Sequence, residues 1–202
     1  MKNFWLLISF LFHPLILISY SFTILFYFLP YYKARFYDED ISFLLLFIFA
    51  NTFLIPVILV LLLQQLKFVK NIYLKERTER FLPYLISSIL CFVTAWQIMD
   101  TDLGALSYRY LFGIATLIFL IMLINFWFKI SSHAAAIAGV IALFLYTIIG
   151  LNEGVMIYWL IPFIFFAGLS MTARLALEAH SFKEIYWGFL LGFCVIFFSV
   201  AL

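Results

Sequence analysis

Charge is what this sequence lacks. Twelve basic and ten acidic residues make up 11% of its 202 positions, against roughly a quarter in soluble domains. That scarcity excludes an ordinary soluble protein. Cysteine is limited to Cys91 and Cys194. Both fall inside apolar segments, where a thiol behaves as a small apolar side chain, so neither reports a redox compartment. No internal repeat, low-complexity tract or interdomain linker interrupts the chain. The expectation is a single integral membrane domain over 1–202, with no soluble domain left over.

Apolar residues fill the space instead. They account for 67% of the chain, with a mean hydropathy of +1.17, and crossing a bilayer takes about 20 of them per helix. The expected fold is all-α, a polytopic transmembrane helical bundle of six to seven spans, near 4–29, 41–66, 81–98, 107–128, 130–149, 156–176 and 184–202. The segment at 81–98 is the shortest and carries Gln97. The first is too long for a signal-peptide core and has no small-residue cleavage site, so it reads as a retained anchor. Pro14 and Pro56 each remove a backbone donor inside an apolar run, which predicts a kink at each. Aromatic residues cluster at span ends, as at Tyr31, Tyr32, Trp159 and Trp187, where membrane interfaces favour them.

Net charge is +2, and its distribution says more than its size. With seven spans, one side holds Lys2, Lys67, Lys70, Lys75, Arg77, Arg80, Lys129, Arg174 and Lys183, nine of the twelve basic residues. The other holds Lys33, Arg35 and Arg109 with Asp38, Glu39, Asp40, Asp100, Asp102 and Glu153. Two spans separate the basic loop around Lys75 from Lys129–His133, and two more separate that junction from Arg174–Gly188. All three polar clusters therefore emerge on one face.

The third cluster reads Arg174-x5-His180-x3-Glu184-x3-Gly188. A membrane gives little reason to keep a cation, an imidazole and a carboxylate together. Glu184 lies one helical turn past His180. It can accept the imidazole proton, fix the tautomer and make the other ring nitrogen nucleophilic. Arg174 and His180, six apart, do not align on a straight helix, so a break near Ala179–His180 is required. In the second cluster, Ser131-Ser132-His133 opens a span. Its serines fit two roles, phosphate ligand or helix cap. Lysine, arginine, two histidines and a carboxylate suit the binding and cleavage of a phosphate ester. Too few acidic groups gather there for a metal cage.

These spacings resemble the type 2 phosphatidic acid phosphatase superfamily, which shares a helical active site with vanadium haloperoxidases. Its third motif, Ser-Arg-x5-His-x3-Asp-x3-Gly, is matched in spacing by Ala173 through Gly188. Its second, Pro-Ser-Gly-His, is similar to Ile130-Ser131-Ser132-His133, and its first, Lys-x6-Arg-Pro, to Lys75-x6-Leu82-Pro83. The resemblance covers 75–188, the family's catalytic core. Leu82 stands for a phosphate-binding arginine, Ala173 for a phosphate-binding serine, Ser132 for a glycine and Glu184 for the orienting aspartate. Arg80 or Arg77 is a candidate to supply the missing guanidinium.

The resemblance implies a lipid phosphatase without metal or other cofactor. His180 attacks phosphorus, Glu184 holds its far nitrogen, and His133 protonates the leaving alkoxide. Lys75, Ser131, Ser132, Arg174 and Arg80 are the phosphate-binding candidates. The expected partners are a lipid phosphate substrate and membrane lipids, not a nucleic acid. Two alternatives stand beside the enzyme: a catalytically silent protein that binds a lipid phosphate, and a small transporter using the same cationic pocket. The expected location is a bacterial inner membrane. Bacterial relatives work at the periplasmic surface, whereas the basic bias favours a cytoplasmic site with the N-terminus inside.

Overall fold

A bilayer core offers no water to a peptide group, so each apolar run must close its own hydrogen bonds as a helix. The computed structural model describes residues 2–70 and 77–202; Lys75 lies outside the described residues. The described chain is all-helical. Its elements are α1 (Lys2–Leu11), α2 (Pro14–Phe28), the short α3 (Pro30–Lys33), α4 (Asp38–Phe49), α5 (Ile55–Gln65), α6 (Phe81–Met99), α7 (Gly104–Ile124), α8 (Ser132–Ile149), α9 (Ile157–Ala176) and α10 (Phe182–Ala201). A π-helical turn at Ala50–Leu54 joins α4 to α5. Six stretches are long and apolar enough to cross a membrane: Asp38–Gln65, Phe81–Met99, Gly104–Ile124, Ser132–Ile149, Gly154–Ala176 and Phe182–Ala201. The pair α1 and α2 makes a seventh if it is counted as one broken span.

The predicted span at 4–29 is two helices rather than one kinked helix. They meet at Phe12–His13 with a bend of 52°. Pro14 lacks the N–H that would continue the helix, and His13 is extended at φ −64°, ψ 136°. Its Nδ1 accepts the Leu15 N–H at 3.3 Å, so the imidazole caps α2. At Pro56 the accommodation is different. The preceding turn widens to a π-helix, with the Ile55 N–H reaching back to the Ala50 carbonyl, which leaves Pro56 in the first turn of α5. The second predicted span begins earlier than 41 because Asp38, Glu39 and Asp40 form the first turn of α4, where negative charge suits the helix dipole.

Side-chain bonds fix which ends lie together. Arg77 donates to the Trp127 carbonyl at 3.1 Å and its own carbonyl accepts from Asn125 at 3.0 Å. Ser9, at the end of α1, accepts from Arg174, at the end of α9, at 2.8 Å. At the opposite end Phe28 meets Trp159 at 4.7 Å and the Tyr32 hydroxyl bonds that of Ser107 at 2.6 Å. Among the described residues, the 77–80 turn, the α7–α8 junction and the α9–α10 junction thus share one end with α1.

Helix α8 is the centre of the bundle, and small residues let its neighbour approach. Gly188 and Gly192 on α10 pass directly over the α8 backbone. A Cβ on Gly188 would lie 2.5 Å from the Ser131 carbonyl oxygen, and one on Gly192 would overlap the Ala135 carbonyl group. Helices in lipid associate through such close van der Waals packing. Here the contact sits at the end of the bundle that carries the histidines.

Candidate functional site

Ser131 is the N-cap of α8, with its hydroxyl accepting the Ala134 N–H at 3.5 Å. Its own N–H donates to the Glu184 carbonyl at 3.1 Å, which joins the first turn of α8 to that of α10. Ser131 is fully buried and does not line the neighbouring cavity. Of its two sequence roles, then, the structure assigns the cap. Its hydroxyl caps the start of α8 and does not face the cavity. Ser132 and His133, one and two residues on, do line that cavity.

Helix α9 ends at Ala176, and Glu178 takes a left-handed conformation at φ 52°. The Ala179 and His180 N–H groups both turn back to the Arg174 carbonyl, at 3.0 and 3.4 Å. This is the required break, and it brings Arg174 and His180 to the same cavity. His180 Nδ1 donates to Glu184 Oε2 at 2.9 Å. The same oxygen accepts the Ser181 N–H at 3.1 Å, while Ser181 Oγ accepts the Glu184 N–H at 3.4 Å. Glu184 therefore closes a capping box and orients the imidazole with one carboxylate. With Nδ1 donating, the lone pair of neutral His180 is on Nε2. Burial pushes the imidazole down to about 4, against the opposing pull of the Glu184 hydrogen bond, and Arg174 adds to the lowering.

Two further residues belong to this cluster and were absent from the sequence argument. The Ser9 carbonyl accepts from His133 Nε2 at 3.1 Å, and Ser9 Oγ lies 3.3 Å from the same nitrogen. Ser9 Oγ also accepts from Arg174 Nη1. The His13 ring meets His133 edge-on, with centroids 5.6 Å apart. The chain has three histidines, and all three line this cavity. Ser9 carried no signal in the sequence. His13 carried one: an ionisable residue inside an apolar run is a functional candidate by default.

Arg80 is buried and lines the cavity, as Arg174 does. Arg77 instead bonds the Trp127 carbonyl and does not line the cavity. Between these two candidates, the cavity position belongs to Arg80. Arg174 Nε is buried without a hydrogen-bond partner, although unpaired buried donors cost about 1–3 kcal/mol each. Two guanidinium groups at one cavity, one with an unmet donor, form an environment that favours an anion. Among the described residues, no group of three His, Cys, Asp or Glu side chains is arranged to hold a metal ion.

The cavity has a volume of about 500 Å³. From its polar end it continues between α2, α5, α6 and α7 along Ile18, Val57, Tyr84, Tyr110 and Ile114. Such a space accepts a charged group at one end and a hydrocarbon at the other. Compared with protein-family models, curated proteins and solved structures, the chain has no match.

Proposed function

We propose that the chain is a membrane-embedded lipid phosphatase, acting on a phosphomonoester or pyrophosphate headgroup and related in mechanism to the type 2 phosphatidic acid phosphatases it resembles. One observation carries this reading. His180, oriented by Glu184 through a bond of 2.9 Å, shares with His133, Arg80 and Arg174 a cavity that continues as an apolar chamber. Anion binding alone needs neither a nucleophilic imidazole nor a carboxylate to orient it.

In this reading Nε2 of neutral His180 attacks phosphorus and the bond to the lipid oxygen breaks. His133, charged once the phosphate dianion binds beside it, delivers a proton to the departing alkoxide. Arg174 and Arg80 balance the charge on the phosphoryl oxygens. Water then attacks the phosphohistidine, with His133 taking its proton, and inorganic phosphate leaves. Phosphate release by the purified protein from a panel of phosphatidate, phosphatidylglycerol phosphate and polyprenyl pyrophosphate tests the proposal. Binding of these lipids without release would favour the silent lipid-phosphate binder instead.

Glu184→Gln separates the two duties of this carboxylate. Glutamine still closes a capping box, so the helix start persists, but the imidazole loses its charged partner. The expected result is a rate lowered on the order of 10²-fold with a melting temperature close to wild type. An unchanged rate would remove Glu184 from the mechanism.

The location we propose is a bacterial inner membrane, with the histidine-bearing end toward the cytoplasm. Lys67, Lys70, Arg77, Arg80, Lys129, Arg174 and Lys183 all lie at or near that end, which the positive-inside rule retains in the cytoplasm. Lys70 is exposed. In a background lacking Cys91 and Cys194, Lys70→Cys is expected to resist a membrane-impermeant thiol reagent in intact cells and to react after lysis. Labelling in intact cells would reverse the orientation.

A further inference from the structure

His13 is the one histidine with no part in the chemistry above. Its Nδ1 is committed to the Leu15 N–H, so its proton sits on Nε2 whether the ring is neutral or charged. That Nε2 has no hydrogen-bond partner among the described residues, nor is it one of the buried, unpartnered atoms. His13 lines the cavity, so the donor is accessible to whatever enters. A cap alone does not require this side chain, because serine or asparagine accepts the same N–H from a smaller group.

The surroundings hold His13 in register with the cationic groups. Four residues earlier, Ser9 accepts from Arg174 Nη1 at 2.8 Å and its carbonyl accepts from His133 Nε2 at 3.1 Å. These bonds pin the end of α1 to both partners, and the break that follows turns His13 against the His133 ring. On the other side of the same guanidinium, Arg174 Nε remains buried and unpartnered.

We propose that His13 is a phosphate-binding residue, donating a hydrogen bond from its Nε2–H to an oxygen of a phosphate group held at Arg174, and that the break between α1 and α2 serves to present it. The inference rests on the phosphate reading of the cavity. It adds to that reading a donor from a segment outside the three motif-like clusters, in a chain where Leu82 and Ala173 supply none.

Binding of inorganic phosphate to the full-length protein in detergent tests this. His13→Ser retains an acceptor for the Leu15 N–H but removes the ring and its second nitrogen. Its dissociation constant for phosphate is expected to rise about tenfold or more, with a melting temperature near that of wild type. A second measurement needs no variant at this position. With only three histidines, imidazole ¹⁵N signals can be assigned by elimination using substitutions at His133 and His180, and saturating phosphate should shift the His13 Nε2 signal. Phosphate binding by the wild type with no such shift, or equal affinity in His13→Ser, overturns the role of His13 and leaves the phosphatase reading standing. A wild-type protein that binds no phosphate overturns both.

Discussion

Alanine at His180 is expected to lower phosphate release to background, a loss on the order of 10⁴-fold or more, as when a covalent nucleophile is deleted. The physical basis is the state of the ring. Nδ1 is bonded to Glu184, burial holds the imidazole at about 4, and so at neutral pH Nε2 carries a lone pair. The sign of the pH effect follows. Because the folded value lies below the unfolded 6.5, His180 stays neutral as the pH falls from 7 toward 4, and its nucleophilicity survives over that window. The unfolded chain takes up a proton over the same window, so this group progressively disfavours the fold below pH 6.5. Wild-type protein quenched during turnover should carry acid-labile, alkali-stable phosphate, and His180→Ala should carry none. Arg174 is untouched in the variant, so inorganic phosphate should still bind. Wild-type rates from His180→Ala would end the phosphohistidine mechanism.

The helices were legible where apolar runs are long and bounded by charge. Six of the seven predicted spans correspond to helical stretches long enough to cross, because hydrophobic length is a property of the sequence itself. The first was only half legible. Pro14 announced a kink, but hydropathy does not show that α1 and α2 are separate helices, since most of their side chains are apolar. The path of α1 is set by Ser9, whose partners Arg174 and His133 lie 165 and 124 positions away. No local pattern encodes such contacts.

At the site, spacing located what lies on one helix turn and missed what depends on the helix start. His180 and Glu184 are four apart, so their bond follows from helical geometry. Whether Ser131 or Ser132 faces the cavity depends on where α8 begins, and a shift of one residue exchanges the two. Ser181 with Glu184 carried a readable capping-box signature, which gives the carboxylate a structural duty as well as an orienting one. Gly188 was read only as the last position of a motif. Its approach to the Ser131 backbone supplies a physical reason for glycine there, and Gly192 one turn on meets the same constraint.

Gly192→Ala is expected to have the largest effect on the fold of any glycine-to-alanine change in the chain. The new Cβ would fall on the carbonyl oxygen, carbonyl carbon and Cα of Ala135. All three are backbone atoms of the central helix, so no side chain can swing aside. Helices α8 and α10 must separate, and in lipid no hydrophobic force opposes the separation, only the lost van der Waals contact itself. Overpacking costs about 1–3 kcal/mol even where side chains can adjust, and here the strain falls on two backbones. The same displacement loads the bond from the Ser131 N–H to the Glu184 carbonyl, which couples the start of α8, with His133, to the start of α10, with Glu184 and its partner His180. A lowered melting temperature should therefore be accompanied by weaker phosphate binding, measured at a temperature where the variant is still folded. Gly168→Ala is the control. That position lies on α9 with nothing within 4 Å of an added Cβ, and alanine favours a helix interior over glycine by up to about 1 kcal/mol, so its melting temperature should hold or rise. If Gly192→Ala melts with the wild type, the α8–α10 contact is looser than its geometry indicates, and the close approach that positions the two histidines loses its support.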